Sequence, residues 1–242
     1  MAESKSGGIG INSAPDPIQD GPWLAVDTAT DACSVALETP AGITGRFEIA
    51  PRGHAGRLLQ MLDETIADTG GTAAELAAVV WCHGPGAFTG VRVAAGVAQG
   101  IAWAHAIPVI GVSTLATVAQ GAARRRGVTA VRVAMDARMG EVYWGDYVVD
   151  PHSGLMVTVT GDRLDRPGDL PAWDHGSDWL GAGTGWGAYA EALTGAATPL
   201  QGTEPETLPD ARDSLPLAHA TGAAPVAAAE VAPVYLRDRV TG

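Results

Sequence analysis

Apolar and polar positions alternate and recur along this chain in a way that marks its elements. Trp23-Leu24-Ala25-Val26 is a short apolar run ending at Asp27, and after a polar turn Cys33-Ser34-Val35-Ala36-Leu37 alternates. This predicts a β-hairpin with Cys33, Val35 and Leu37 on one face. A turn at 40–45 leads to a third strand over 46–49. From Gly56 the spacing becomes helical, with Leu58, Leu62 and Ile66 at i, i+4 and i+8 beside Leu59 and Met61, until Gly70-Gly71. The continuous apolar run 77–82 has the character of a buried strand. Beyond a glycine-rich loop the pattern predicts a helix over 91–105, a strand over 107–112, a helix over 113–126, and strands over 128–135 and 141–147 around a turn at 136–140. Strands near 155–160 and 179–181 and helices over 211–219 and 224–230 complete the set.

Strands, then helix, strand and helix, then strands again indicate α/β or α+β architecture with mixed sheets. Ala25-Val26-Asp27 enters a polar turn and a returning strand, and 109 positions later Ala134-Met135-Asp136 does the same. A duplicated two-lobe fold produces such an echo. So does chance, because strand–Asp–turn is a common unit.

Composition narrows the function. The 242 residues suffice for one large domain or two modest ones. Fifteen Lys plus Arg against 27 Asp plus Glu leave a net charge of −12, which argues against a stand-alone binder of phosphate backbone. Contact with RNA inside a complex whose other members are basic stays open. Two cysteines, Cys33 and Cys82, make neither a disulfide scaffold nor a four-ligand zinc site. Residues 1–21 are rich in Gly, Ser, Pro and Asp without an apolar core, so they are expected to be a disordered leader and the protein cytoplasmic. The least polar stretch, 93–112, is long enough to span a bilayer. Its Gln99, His105, Pro108 and glycines identify it instead as a buried helix followed by a buried strand, with no membrane partner.

Among local motifs, Gly84-Pro85-Gly86-Ala87-Phe88-Thr89-Gly90-Val91-Arg92, between a buried strand and a helix, is the most informative. Its glycines permit close backbone approach, Thr89 is suited to cap the helix, and the first helical turn offers N–H groups to an anion. No Gly-Lys-Ser/Thr follows, so it is not a P-loop. The spacing G-x-G-x-x-x-G, and a next strand ending at Val112-Ser113-Thr114 without an acid, fit a dinucleotide fingerprint poorly. A tight strand-to-helix turn with close helix packing accounts for the same residues, and spacing alone does not separate the two. Asp27 and Asp136, at strand ends, would hold a metal–nucleotide complex or position water, or else cap their own turns. Arg138 and Glu141 flank a hairpin, where a cross-strand ion pair would be unremarkable. The six histidines include no i, i+4 pair, and H-E-x-x-H is absent. Cys82 and His83 are adjacent in an extended run and point to opposite faces, so Cys82 is expected to be a buried structural thiol. Gly181-Ala182-Gly183-Thr184-Gly185-Trp186 is a second glycine-rich turn with little specificity.

Four blocks in order, Leu24 to Leu37, Gly84 to Arg92 with Val109-Ile110-Gly111-Val112-Ser113, Ala134-Met135-Asp136-Ala137-Arg138-Met139-Gly140-Glu141-Val142-Tyr143-Trp144, and Pro233-Val234-Tyr235-Leu236-Arg237, resemble the signatures of the TsaB (YeaZ) family. The resemblance implies an actin-like, duplicated two-lobe α/β fold of the sugar-kinase and Hsp70 type (ASKHA), with lobes over 22–126 and 127–242 and the tail packing back. It implies a role in forming N6-threonylcarbamoyladenosine (t6A) at adenosine 37 of ANN-decoding tRNAs, as partner and activator of the catalytic paralogue TsaD, together with the ATPase TsaE. TsaD-like proteins carry a helical H-x-x-x-H metal pair where this chain has Thr114 and Val118, and the first hairpin lacks the phosphate-loop glycine of actin-like ATPases. The resemblance therefore implies no catalytic residue, no metal and no cofactor required by this chain alone, with ATP or ADP allowed in the complex. The candidate nucleotide-facing loops comprise Asp27, Thr28, Gly84, Gly86, Thr89, Gly90, Asp136 and Arg138. In this family the first two helices build the subunit surface, so Leu58, Leu62 and Ile66 become the candidate dimer interface, with a homodimer expected for the chain alone and tRNA reached only through the complex. The alternative is an independent nucleotide-dependent transferase or metallopeptidase-like enzyme on the same fold.

Overall fold

The computed structural model describes residues 20–51, 53–173, 178–195, 200–220 and 222–237; the expected leader lies outside them except for its last two positions. β1 (Trp23–Asp27), β2 (Ala32–Thr39) and β3 (Gly42–Ile49) form an antiparallel meander, while β4 (Ala78–Cys82) lies parallel to β1 and β5 (Val109–Val112) parallel to β4. The sheet order is β3-β2-β1-β4-β5. The second sheet repeats this plan around β6 (Ala130–Asp136). β7 (Val142–Val149) and β8 (Met156–Asp165) continue it as a meander, and β9 (Trp179–Ala182) and β10 (Leu200–Glu204) add in parallel on the other side. Read outward from β1 and β6 the two orders are the same, so the chain adopts the duplicated two-lobe α/β fold with mixed sheets.

Helices fill three layers around the sheets. α1 (His54–Asp68) and α2 (Phe88–His105) cover one face of the first sheet, where Leu24, Val26, Cys33, Val35 and Leu37 meet Leu58, Met61 and Ala94. α3 (Thr114–Arg126) opens on Ser113, whose Oγ accepts the Ala116 N–H at 3.1 Å, and closes on Gly127 in the left-handed region. It packs on strands of the second sheet, whereas α6 (Ala211–Ala220), from the far end of the chain, packs on the first. The Ser34 hydroxyl accepts the Ala211 N–H at 2.9 Å, which fixes α6 there. The contact between the lobes is thus the α3–α6 pair, inside one apolar cluster that runs from Ala25 and Ile110 through Leu115 and Leu215 to Val133 and Met135. Outside the second sheet, two short helices, α4 (Gly185–Ala188) and α5 (Ala190–Thr194), bury Trp186 and Leu193 beside Trp144, Trp173 and Trp179.

Three sequence expectations need correction. The segment 224–230 is not a helix: Val226 forms a β-bridge with Val109, and only Ala228–Glu230 makes a single 3₁₀ turn. Its carbonyls are claimed from outside, since the Gln99 amide donates to Ala228 O and Val231 O at 3.1 and 3.2 Å. The third strand starts at Gly42, because pairing with β2 runs the full length of the hairpin. Finally, Leu58, Leu62 and Ile66 are 0, 7 and 8% exposed within the single chain, packed on its own first sheet. A helix must bury its apolar stripe somewhere; here that face is inside the lobe and cannot supply contact area to a partner. No helix of the described residues is long and apolar enough to cross a membrane.

Candidate functional site

The C-terminal ends of β1, β4 and β6 open on a cleft of about 620 Å³ between the lobes. From the first lobe it is lined by Ala29, Thr30, Asp31 and the segment from Pro85 to Phe88, from the second by Met135 to Arg138, Tyr143 and Thr184, and along its mouth by Val234, Tyr235, Leu236 and Arg237.

The loop after β4 is shaped by close backbone packing. A Cβ on Gly86 would lie 2.4 Å from Ala29 O and one on Gly90 would lie 2.0 Å from Thr28 O, so the turn after β1 sits directly on this loop. Two hydrogen bonds seal the contact: Ala87 N donates to Ala29 O at 2.7 Å and Thr28 Oγ1 to Gly90 O at 2.8 Å. Gly84, at φ +112°, makes room for Val234 O. The tight-turn interpretation accounts for all three glycines. α2 begins at Phe88 with Ala87 as its N-cap and no side-chain cap, so Thr89 is an exposed residue of the first turn and not the cap expected of it.

The candidate loop residues therefore divide. Gly86, Asp136 and Arg138 line the cleft, whereas Asp27 and Thr28 are fully buried under the loop. Neither Asp27 oxygen has a hydrogen-bond partner at normal geometry. Burial pushes its pKa up from 3.8 to about 7, against the smaller opposing pull of the Cys82 thiol and the Ala29 amide. Cys82 is itself fully buried, 3.5 Å from Thr117 Oγ1, and desolvation drives its pKa far above the ordinary thiol value. Thr114 and Val118 are likewise fully buried in α3.

Asp136 is satisfied by its own turn: Oδ1 accepts Arg138 N at 2.8 Å and Tyr189 OH at 3.1 Å, and Oδ2 pairs with the Arg138 guanidinium at 3.1 Å. Arg138 and Glu141 do not pair with each other. Arg138 has a positive φ of 64° that turns its side chain back to Asp136, and Glu141 is taken by Arg237 at 2.5 Å. Both cleft arginines are thus already paired, and the lining also holds Asp31 and Glu206. Among the described residues no group of three or more His, Cys, Asp or Glu side chains is placed to hold a metal ion.

Two further features escape sequence reasoning. Asp162 on β8 accepts Ser113 Oγ and Tyr147 OH, both at 2.5 Å, joining the start of α3 to the second sheet. Burial raises the Asp162 pKa despite these bonds, and it lowers that of the neighbouring His83. At the cleft mouth the Arg92 guanidinium lies 3.3 Å from the centre of the Phe88 ring, and Tyr235 tilts against Phe88 at 5.8 Å. The i, i+4 spacing of Phe88 and Arg92 is visible in the sequence; the arrival of Tyr235 is not.

Comparison with known proteins follows the same outline. The family model described as TsaD, tRNA N6-adenosine threonylcarbamoyltransferase, matches residues 42–182. The chain is 40% identical over 222 residues to the tRNA threonylcarbamoyladenosine biosynthesis protein TsaB of Escherichia coli, with 90% of this chain and 95% of that one covered. It is 36% identical over 230 residues to the protein of the same description in Haemophilus influenzae, with 90% and 94% covered. A solved structure of YeaZ from Pseudomonas aeruginosa superposes with a TM-score of 0.82 at 42% identity, covering 89% of this chain and 100% of that one. A second crystal structure from the same organism, described as similar to peptidase YEAZ, gives 0.83 at 42% identity, with 90% and 100% covered.

Proposed function

Since the chain belongs to the TsaB (YeaZ) family of tRNA threonylcarbamoyladenosine biosynthesis proteins and is a paralogue of TsaD, we propose that it acts in t6A formation as a non-catalytic partner and activator of a TsaD-like transferase. The observation that carries this is the state of the cleft. Asp27, the residue best placed for a metal–nucleotide complex, is sealed under the 84–90 loop, and both cleft arginines are engaged by carboxylates. The chain alone then needs no cofactor, and ATP or ADP enters through the complex.

The partner surface belongs to the outer face of α1 and α2. Leu59 and Trp103 are 53 and 63% exposed, and the space over Gly96 and Gly100 is open. Small residues one helical turn apart beside an exposed aromatic suit close packing against another helix. This face would serve the TsaD-like partner and a homodimer when the chain is alone. A TsaE-like ATPase would join the assembly, and tRNA would be reached through its more basic members, in keeping with the charge of −12.

Reconstituted tRNA threonylcarbamoylation, run with and without this chain, tests the proposal: product should depend on the chain. Undiminished modification without it overturns the activator role. Hydrolysis of ATP or a peptide by the purified chain at ordinary enzymatic rates would favour the independent-enzyme alternative.

A further inference from the structure

Besides the Ser113–Asp162 bond at the start of α3, the lobes meet at two places of different character. The first is the α3–α6 contact in the shared core, where a Cβ on Gly121 would lie 2.7 Å from the Asp213 carboxylate and Arg124 pairs with Asp213 at 2.7 Å. Two helices that approach closely at a small residue can serve as a pivot for small rotations. The second lies at the cleft mouth, where the tail crosses from one lobe to the other. On the first lobe, Val234 N donates to His83 O at 2.8 Å and Tyr235 leans on Phe88 and Arg92. Two residues later, Arg237 reaches the second lobe, with its guanidinium 2.5 Å from Glu141 and 3.5 Å from Arg138 O.

The turn that receives Arg237 is held in an unfavourable conformation. Arg138 and Met139 have φ of 64° and 58°, the left-handed region, immediately before Gly140 at 77°. Non-glycine residues occupy that region at a cost, and a contact from outside that fixes the turn offsets it. The tail in turn dictates Gly84, whose Cβ would collide with Val234 O at 2.7 Å. Upstream, Gln99 and the bridge to Val109 anchor the tail on the first lobe, so only its last described residues span the gap.

We propose that Val234 to Arg237 form a clasp that sets the angle between the lobes, and that the cleft widens about the α3–α6 pivot only when the Arg237–Glu141 pair and the Tyr235–Phe88 contact let go. The clasp is made of one backbone bond, one partly exposed ion pair with a long bond to Arg138 O beside it, and one tilted ring pair flanked by Arg92, which is weak beside the apolar core at the pivot. It is therefore the contact that opens first.

Two readouts on the full chain test this: hydrogen exchange at the Val234 amide, and the distance distribution between spin labels placed at Gln60→Cys on α1 and Val157→Cys on β8. Arg237→Glu sets two carboxylates against each other. It should speed Val234 exchange about fivefold or more, and it should lengthen and broaden the interlobe distances. Adding Glu141→Arg restores the opposite charges and should return both readouts toward the parent. Tyr235→Ala, which keeps the ion pair, provides a second release should Arg237→Glu fold poorly. Distances that stay at the parental value while Val234 exchange accelerates would overturn the proposal, because the tail would then lift without moving the lobes. Unchanged exchange in folded Arg237→Glu and Tyr235→Ala would overturn it as well.

Discussion

Asp27 and Asp136 hold the same place in the two lobes, each the last residue of its sheet's central strand, and their carboxyl groups have opposite surroundings. Asp136 faces the cleft with its oxygens bonded by Arg138 and Tyr189. Asp27 is sealed beneath the 84–90 loop with no partner at normal geometry. The duplicated position thus carries a turn-forming residue in one lobe and a buried acid of raised pKa in the other, and the burial of Asp27 has a measurable consequence.

Folded protein keeps the Asp27 proton to about pH 7, whereas an ordinary aspartate releases it near 3.8. Between those values the folded state binds more protons than the unfolded one, so this residue's contribution is fully present below about pH 4 and is lost as pH rises through 7. The change corresponds to at most about 4 kcal/mol. Asp27→Asn cannot ionise. Its melting temperature relative to the parent should therefore climb from pH 5 to pH 8, and the gain should stay below that ceiling because a buried amide also lacks partners. Calorimetry at the two pH values checks this; a difference independent of pH would mean that Asp27 is ionised when folded.

The glycines of the 84–90 loop are predicted to be structural. Gly90→Ala would place a Cβ 2.0 Å from Thr28 O, a backbone atom that cannot rotate away. It should cost about 1–3 kcal/mol in urea unfolding. Gly96→Ala, in the same helix with open space above it, should instead stabilise the monomer by about 0.5–1 kcal/mol. Equal effects at the two sites would argue against backbone packing as the reason for Gly90.

Arg132 and Asp146 lie directly opposite each other on β6 and β7, joined by bonds of 2.7 and 2.9 Å, and both are 1% exposed. The rings of Trp144, Trp173 and Trp179 surround the guanidinium at 5.2–5.6 Å. Asp146→Ala leaves that charge buried without its counter-ion and should destabilise by about 3–5 kcal/mol. Removing both charges with Arg132→Met and Asp146→Leu should cost much less. Tryptophan fluorescence during urea titration follows both variants.

The ease of reading these features from sequence tracks how local they are. The β1–β2 hairpin, α1 and α3 follow from spacing and caps within a few residues, whereas the echo of Asp27 in Asp136 only suggests the duplication that the two sheet orders show. The Arg132–Asp146 pair depends on strand register, and Arg237–Glu141 on a tail that returns across the molecule, so neither leaves a pattern in the chain. β10, reading Leu-Gln-Gly-Thr-Glu, has no apolar alternation because it is a partly exposed edge strand. The glycine loop is ambiguous in sequence because close approach to a ligand and to another backbone select the same residue. The apolar stripe of α1 signals burial without saying against what.

That last ambiguity gives the sharpest test of the subunit surface. Leu59 and Leu62 are three residues apart on α1, yet Leu59 is 53% exposed and Leu62 is 7% exposed against the first sheet. Leu62→Asp would bury an unpaired charge and should unfold the lobe, so loss of association in that variant says nothing about an interface. Leu59→Asp should leave the melting temperature within a degree or two, as surface changes of about 0.5 kcal/mol or less do. If the outer face of α1 and α2 is the contact surface, Leu59→Asp and Trp103→Asp should still fold but elute as monomers in light scattering and fail to capture a TsaD-like partner. Two folded variants that associate as the parent does would place the interface elsewhere on the molecule.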